Sequence, residues 1–180
     1  MLITNIQYIV IVLIALSLLI YFIGGLVIII ASVIVIFEKC FFGRINIIPG
    51  IEFTTLSILL VTLKYGLLGG ILFSLAIPLI ASAINLTIGE KWIINSGFQY
   101  FGFGFGNIVD ILSVVIIYFI QILDIFWIIL IVLLFKHVIN NLVGKLKEVN
   151  FVPNYLGIFT SFLFNLSLIY FLHSFWIQLI

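Results

Sequence analysis

The chain has 180 residues, of which 66% are hydrophobic and only 7% charged, with a net charge of +1 and a mean hydropathy of +1.51. A soluble domain carries about a quarter charged residues, so this composition excludes a water-soluble fold and calls for the lipid bilayer as solvent. The near-neutral balance gives no basis for binding nucleic acid, and a lone Cys40 rules out an internal disulfide or a multi-cysteine metal site.

In chain order, residues 1 to 37 come first. They lack a basic leading region, and their apolar run far exceeds the ~7 to 15 residues of a signal-peptide core. They therefore read as a retained membrane helix. A helix from Thr4 to Phe37 would extend ~50 Å, well beyond a ~30 Å hydrocarbon core, so it must tilt, protrude or break. Gly24-Gly25 is the candidate break, and one long tilted helix is the reading taken here.

The next block is "GIEFTTLSILLVTLKYGLLGGILFS", Gly50 to Ser74. Ile51 to Leu63 is short for a span and Leu67 to Ile88 about long enough, so Lys64-Tyr65-Gly66 reads as a tight turn between antiparallel helices. A lysine there can snorkel to water, and a tyrosine suits the same interface. Gly66, Gly70, Ser74, Pro78 and Ser82 recur every fourth residue. They place a ridge of small side chains on one helix face, against which a second helix can pack closely.

"GEKWIINSGFQYFGFGFG", Gly89 to Gly106, is polar, aromatic and glycine-rich and reads as a loop. Its Phe-Gly alternation carries no dinucleotide fingerprint, because no βαβ unit surrounds it. Trp92, Tyr100 and the phenylalanines suit an interfacial belt or a lid. A long apolar block, Ile108 to Phe135, reads as the fourth helix, and on it Asp110, Ser113, Gln121 and Asp124 fall within a sector of roughly 80°. The basic stretch Lys136 to Asn150 then leads to a last span that begins at Pro153, a residue suited to the first turn of a helix.

The fold class is thus an all-α integral membrane protein, one domain over residues 1–180, with five spans, or six if Gly24-Gly25 turns the chain. With five spans, the N-terminus, Lys64, Lys136, Lys145 and Lys147 share one side, and Lys39, Arg44, Lys91 and the C-terminus the other. The lysine bias weakly favours the first side as cytoplasmic.

Charged and amide groups in a span are costly and normally face the protein interior. Glu52 opens the second helix, Asn85 closes the third, and Asn107 with Asp110 opens the fourth, so all four meet near one, non-cytoplasmic face. They are the candidate substrate-binding residues of a small-molecule pocket. In the blander alternative, Glu52 and Asp110 cap helix N-termini and Asp124 pairs with Lys64. There is no H-E-x-x-H, no G-x-S-x-G and no histidine-rich cluster, so no catalytic residue, metal ligand or cofactor is assigned.

The stretch "PGIEFTTLSILLVTLKYGLLGGILFS" resembles the second and third helices of S-components, the substrate-binding membrane subunits of energy-coupling-factor vitamin transporters. It is similar also to the MreD-like membrane proteins. The S-component likeness implies binding of a vitamin or other micronutrient, with a transmembrane coupling subunit and ATPase subunits as partners and no catalysis by this chain. The MreD likeness implies a scaffold in a cell-envelope or cell-shape complex. An S-component commonly has six helices and an A-x-x-x-A contact in the first, which Ala15, Gly24 and Ala31 do not reproduce.

Overall fold

The computed structural model describes residues 25–45, 50–89, 93, 104–147 and 150–180. Most of these residues are helical, with no strand among them. Helix α1 is Gly25–Ile45 and α2 is Thr54–Ile88. They are followed by α3, Phe105–Ile120, α4, Ile125–Lys147, α5, Tyr155–Phe171, and α6, His173–Leu179. Three helices, α1, α2 and α4, are long and apolar enough to cross a membrane, and the bent pair α5 and α6, at 75°, makes a fourth if counted as one span.

Helix α2 is folded back on itself. Gly66 has φ +70° and ψ −168°, a conformation that glycine alone adopts readily and that breaks the helical ladder. In an unbroken helix Thr62 and Gly70 would stand ~12 Å apart. Here a Cβ on Gly70 would collide with Thr62 Oγ1, so the arm 67–88 returns alongside the arm 54–65. The same virtual Cβ lies 2.6 Å from Val114 Cγ1, which places α3 against this hairpin.

Residues 54–62 are buried without interruption. A helix with no exposed stripe is surrounded by others, and the short first arm of α2 is accordingly the centre of the bundle. Leu56, Leu59, Leu60 and Val61 form one core with Val35 of α1, Ile117 of α3, Ile128, Ile129 and Leu133 of α4, and Ile169 of α5. Ser74 and Ser82 of the small-residue ridge are buried, and their hydroxyls donate to the carbonyls of Gly70 (2.9 Å) and Pro78 (2.7 Å). Satisfied by their own helix, they pack as small apolar surface.

The apolar block read as one helix from Ile108 to Phe135 is instead two. Helix α3 ends at Ile120 and α4 begins at Ile125. In the turn between them the Asp124 carboxylate accepts from Phe126 N at 2.8 Å, and the Asp124 carbonyl accepts from Trp127 N and Ile128 N. A capping aspartate thus starts α4, and the polar stripe from Asp110 to Asp124 does not lie along one helix.

The bundle has two ends. At the turn end lie Gly25, whose neighbour is the Tyr65 hydroxyl, the Lys64 side chain on the Ile180 carbonyl at 2.5 Å, and Asp124 paired with His173 at 3.5 Å. The C-terminal helix therefore reaches the Lys64 end, and Lys136 stands away from it, both against the side assignment read from the sequence. Gly25 itself has φ +67°, so a continuous helix does not pass through it. The residues before Gly25 lie outside the described set, as does most of the aromatic loop.

Candidate functional site

Rise per residue fixes the depth of the charged groups. Measured from the turn end, the first arm of α2 begins ~16 Å away at Thr54, with Glu52 just before it, while Asp110 stands ~15 Å along α3 and Lys136 ~16 Å along α4. Three segments thus deliver ionisable side chains to one level of the bundle, ~15 to 17 Å from its turn end. Asn85, ~27 Å along the returning arm, and Arg44, ~28 Å along α1, lie a layer further out.

At the inner level Lys136 is the hub. Its ammonium donates to Thr55 Oγ1 at 2.7 Å and to Glu52 Oε1, and faces Asp110 Oδ1 at 2.7 Å as an ion pair. Thr55 Oγ1 in turn donates to Glu52 Oε1 at 2.7 Å. The side chains of Lys136 and Asp110 are 7% and 11% exposed, and that of Glu52 is 25% exposed. Ions at this burial persist only when paired. Glu52 is the most exposed of the three.

Glu38 sits beside this hub and does a different job. Its Oε2 accepts from Phe53 N at 2.6 Å and Thr54 N at 2.8 Å, and its carboxylate also takes the Thr54 hydroxyl at 3.0 Å. It is an N-cap supplied by the preceding helix, matching a carboxylate to the positive end of the α2 dipole. Lys39 pairs with it at 3.0 Å.

One and a half turns on, Arg44 serves the other end of the same hairpin. Its guanidinium donates to the carbonyls of Gly89 (2.6 Å) and Asn85 (3.2 Å) and to Asn85 Oδ1 (3.1 Å). Those carbonyls belong to the last turn of α2, where the helix leaves acceptors unfilled and a cation is favoured. Between Glu38 and Arg44 the chain widens into a π-helical turn, Glu38–Phe42, closed by Gly43 N on Glu38 O. The end of α1 therefore clamps both the start and the finish of the α2 hairpin.

The sequence-predicted residues separate into two groups. Glu52 and Asp110 meet, through Lys136. Asn85 pairs instead with Arg44 and, through its Nδ2, reaches the Lys39 carbonyl at 3.4 Å. Asn107 lies one turn before Asp110 on α3, with its backbone N–H on Gly104 O at 3.0 Å. Neither Glu52 nor Asp110 provides the α2 cap, which Glu38 supplies, and Asp124 pairs with His173 rather than Lys64.

Sequence reasoning missed Lys136, Thr55, Glu38 and Arg44. The signal for Lys136 was present: the 28 residues from Ile108 to Phe135 would reach ~42 Å as one helix, too long for a span, and Gln121 with Asp124 mark where it breaks.

Comparison with family models, with curated proteins and with solved structures finds no match for the chain.

Proposed function

We propose that this protein is a multi-pass subunit of the cell membrane that binds a small polar solute at the Glu52–Asp110–Lys136 cluster. It does no chemistry itself, and it hands the solute to a transmembrane coupling subunit driven by separate ATPase subunits. One observation carries the reading: in a chain with 7% charged residues, three ionisable side chains from three segments converge on one largely buried contact inside the bundle. Ionisable side chains in membrane spans face the protein interior or a water-filled cavity and mark solute and ion pathways. The resemblance of Pro49 to Ser74 to an S-component supports the uptake role, with a vitamin or similar micronutrient as the solute class.

The test is ligand-dependent thermal stabilisation of the purified protein across a panel of vitamins and other micronutrients. A saturable rise in Tm, lost in Glu52→Ala and in Asp110→Ala, is the expected result. No rise across the panel, with crosslinking that recovers envelope-synthesis proteins from cells, contradicts it.

The MreD-like scaffold is the second reading, and a specific observation favours it. The cluster is closed by its own ion pairs, and Glu38 and Arg44 are spent on holding helix ends. On this reading the charges fix the register of the bundle, and partners bind the outer helix faces.

A further inference from the structure

The turn at Gln121 to Asp124 changes where the basic residues stand. Six of the seven Lys and Arg residues lie among the described residues. Lys64 is at the turn end, with its ammonium on the Ile180 carbonyl, and Lys136 is buried between the two ends. The other four gather at the far end. Arg44 reaches the Gly89 carbonyl where α2 finishes, and Lys39 precedes it by five residues on α1. Lys145 and Lys147 belong to the last turn of α4, and Lys147 stands 5.9 Å from the ring centroid of Phe105, where α3 begins. Among the described residues the far end thus holds four basic side chains and the turn end one.

Those four are held differently. Arg44 is buried against the end of α2, and Lys39 pairs with Glu38 at 3.0 Å. Lys145 and Lys147 are exposed, and no carboxylate among the described residues forms an ion pair with either. Leading up to them on α4, Val138, Leu142 and Leu146 recur every fourth residue and are 53%, 53% and 86% exposed. An outward apolar row of this kind suits acyl chains. Lysines at its end suit the headgroup layer, where their ammonium groups reach water.

We propose that the end of the bundle opposite the Lys64 turn is the cytoplasmic end, and that Lys145 and Lys147 there rest on the anionic headgroups of the inner leaflet. An excess of Lys and Arg marks the cytoplasmic ends of membrane helices, and acidic residues weigh little in that rule, so the Glu38 partner of Lys39 does not remove Lys39 from the count. The negative surface potential of the cytoplasmic leaflet attracts basic side chains that flank a span, and the two lysines without a carboxylate partner are the ones placed to respond. Residue order alone grouped Lys136, Lys145 and Lys147 with Lys64 and favoured the opposite side. The α3–α4 turn carries the last two to the other end and reverses the orientation. Neither the solute-binding nor the scaffold reading is needed for this assignment.

The experiment uses the full chain in intact cells, in a Cys40→Ala background, with Ile122→Cys in the α3–α4 turn or Leu146→Cys in the last turn of α4. Both positions are highly exposed, at 91% and 86%, and neither substitution alters the basic residues. An impermeant maleimide should label Ile122→Cys in intact cells and Leu146→Cys only once the membrane is opened. The reverse pattern, or labelling of both in intact cells, overturns the orientation. Should neither cysteine react, a reporter fused after Ile180, at the turn end, decides: alkaline phosphatase should be active and green fluorescent protein dark, and a fluorescent fusion overturns the orientation. For the headgroups, the purified full chain in nanodiscs should gain Tm when phosphatidylglycerol replaces phosphatidylcholine. That gain should shrink in high salt and in the double variant Lys145→Gln, Lys147→Gln. No gain, or a gain undiminished by salt or by the double variant, overturns the headgroup contact.

Discussion

Replacing Lys136 by methionine removes the ammonium while keeping an unbranched side chain of similar length. The two carboxylates then face each other without a cation, and Thr55 loses the N–H it accepts at 2.7 Å. Breaking a buried ion pair by deleting one partner costs about 3 to 5 kcal/mol. Asp110, 11% exposed, should bear most of that cost, whereas Glu52, 25% exposed, recovers part of its hydration. Against a typical total of about 5 to 15 kcal/mol, a loss near 3 kcal/mol is severe. The triple variant Lys136→Met, Glu52→Gln, Asp110→Asn leaves no unmatched ion, and neutral replacements of buried ion pairs are often neutral or stabilising. It should regain most of the lost stability. The assay is reversible unfolding in mixed micelles. If Lys136→Met lies within about 1 kcal/mol of the wild type, or if the triple variant is less stable than the single one, Lys136 is not holding two carboxylates in a buried contact.

Further outcomes follow from the clamp, the hairpin and the two ends. Glu38→Ala removes the acceptor for two amides and a hydroxyl and should cost about 1 to 3 kcal/mol in the same unfolding assay, with Glu38→Gln losing less. Gly50→Ala adds a Cβ that collides with the Gly157 carbonyl at a residue with φ +91°. It should lower Tm by several degrees, whereas Gly104→Ala, which meets nothing within 4 Å, should leave Tm unchanged. Gly70→Val overfills the contact with Thr62 and Val114 and should cost about 1 to 3 kcal/mol. Single cysteines at positions 64 and 145, in a Cys40→Ala background, should react with an impermeant maleimide from opposite sides of the membrane, because Lys64 lies at the turn end and Lys145 beyond Lys136 on α4. Reaction from one side contradicts the α3–α4 turn.

Much of the fold could be read from residue order, and the losses have identifiable causes. The Lys64-Tyr65-Gly66 turn was legible because a short apolar run, a lysine and a glycine agree on one place, and Gly66 adopts the left-handed φ that such a turn uses. The turn at Gln121 to Asp124 was hidden because an all-apolar helix in lipid has no periodicity to interrupt. Asp124 was read as one more member of a polar stripe rather than as a cap. Missing that turn put Lys136 at the turn end instead of ~16 Å from it, and misassigned the side of the lysines that follow it. Glu52 and Asp110 were legible as costly ions at helix starts. Their shared partner was not, since it comes from a helix whose direction had been misread. The clamp by Glu38 and Arg44 depends on a π-helical turn, for which "EKCFF" gives no local signal. Asn85 was assigned to the right end of its helix but serves Arg44, one layer outside the ionic contact.

The most direct test is a solid-state NMR measurement of ¹⁵Nζ-lysine to ¹³C-carboxylate-aspartate distances in lipid bilayers. The chain has two aspartates, Asp110 and Asp124, and Asp110 Oδ1 lies 2.7 Å from Lys136 Nζ. One aspartate carboxylate should show a lysine nitrogen within ion-pair distance, and that contact should vanish in Lys136→Met. If neither aspartate has a lysine nearby, or if the contact persists when Lys136 is replaced, the buried ionic contact centred on Lys136 does not exist.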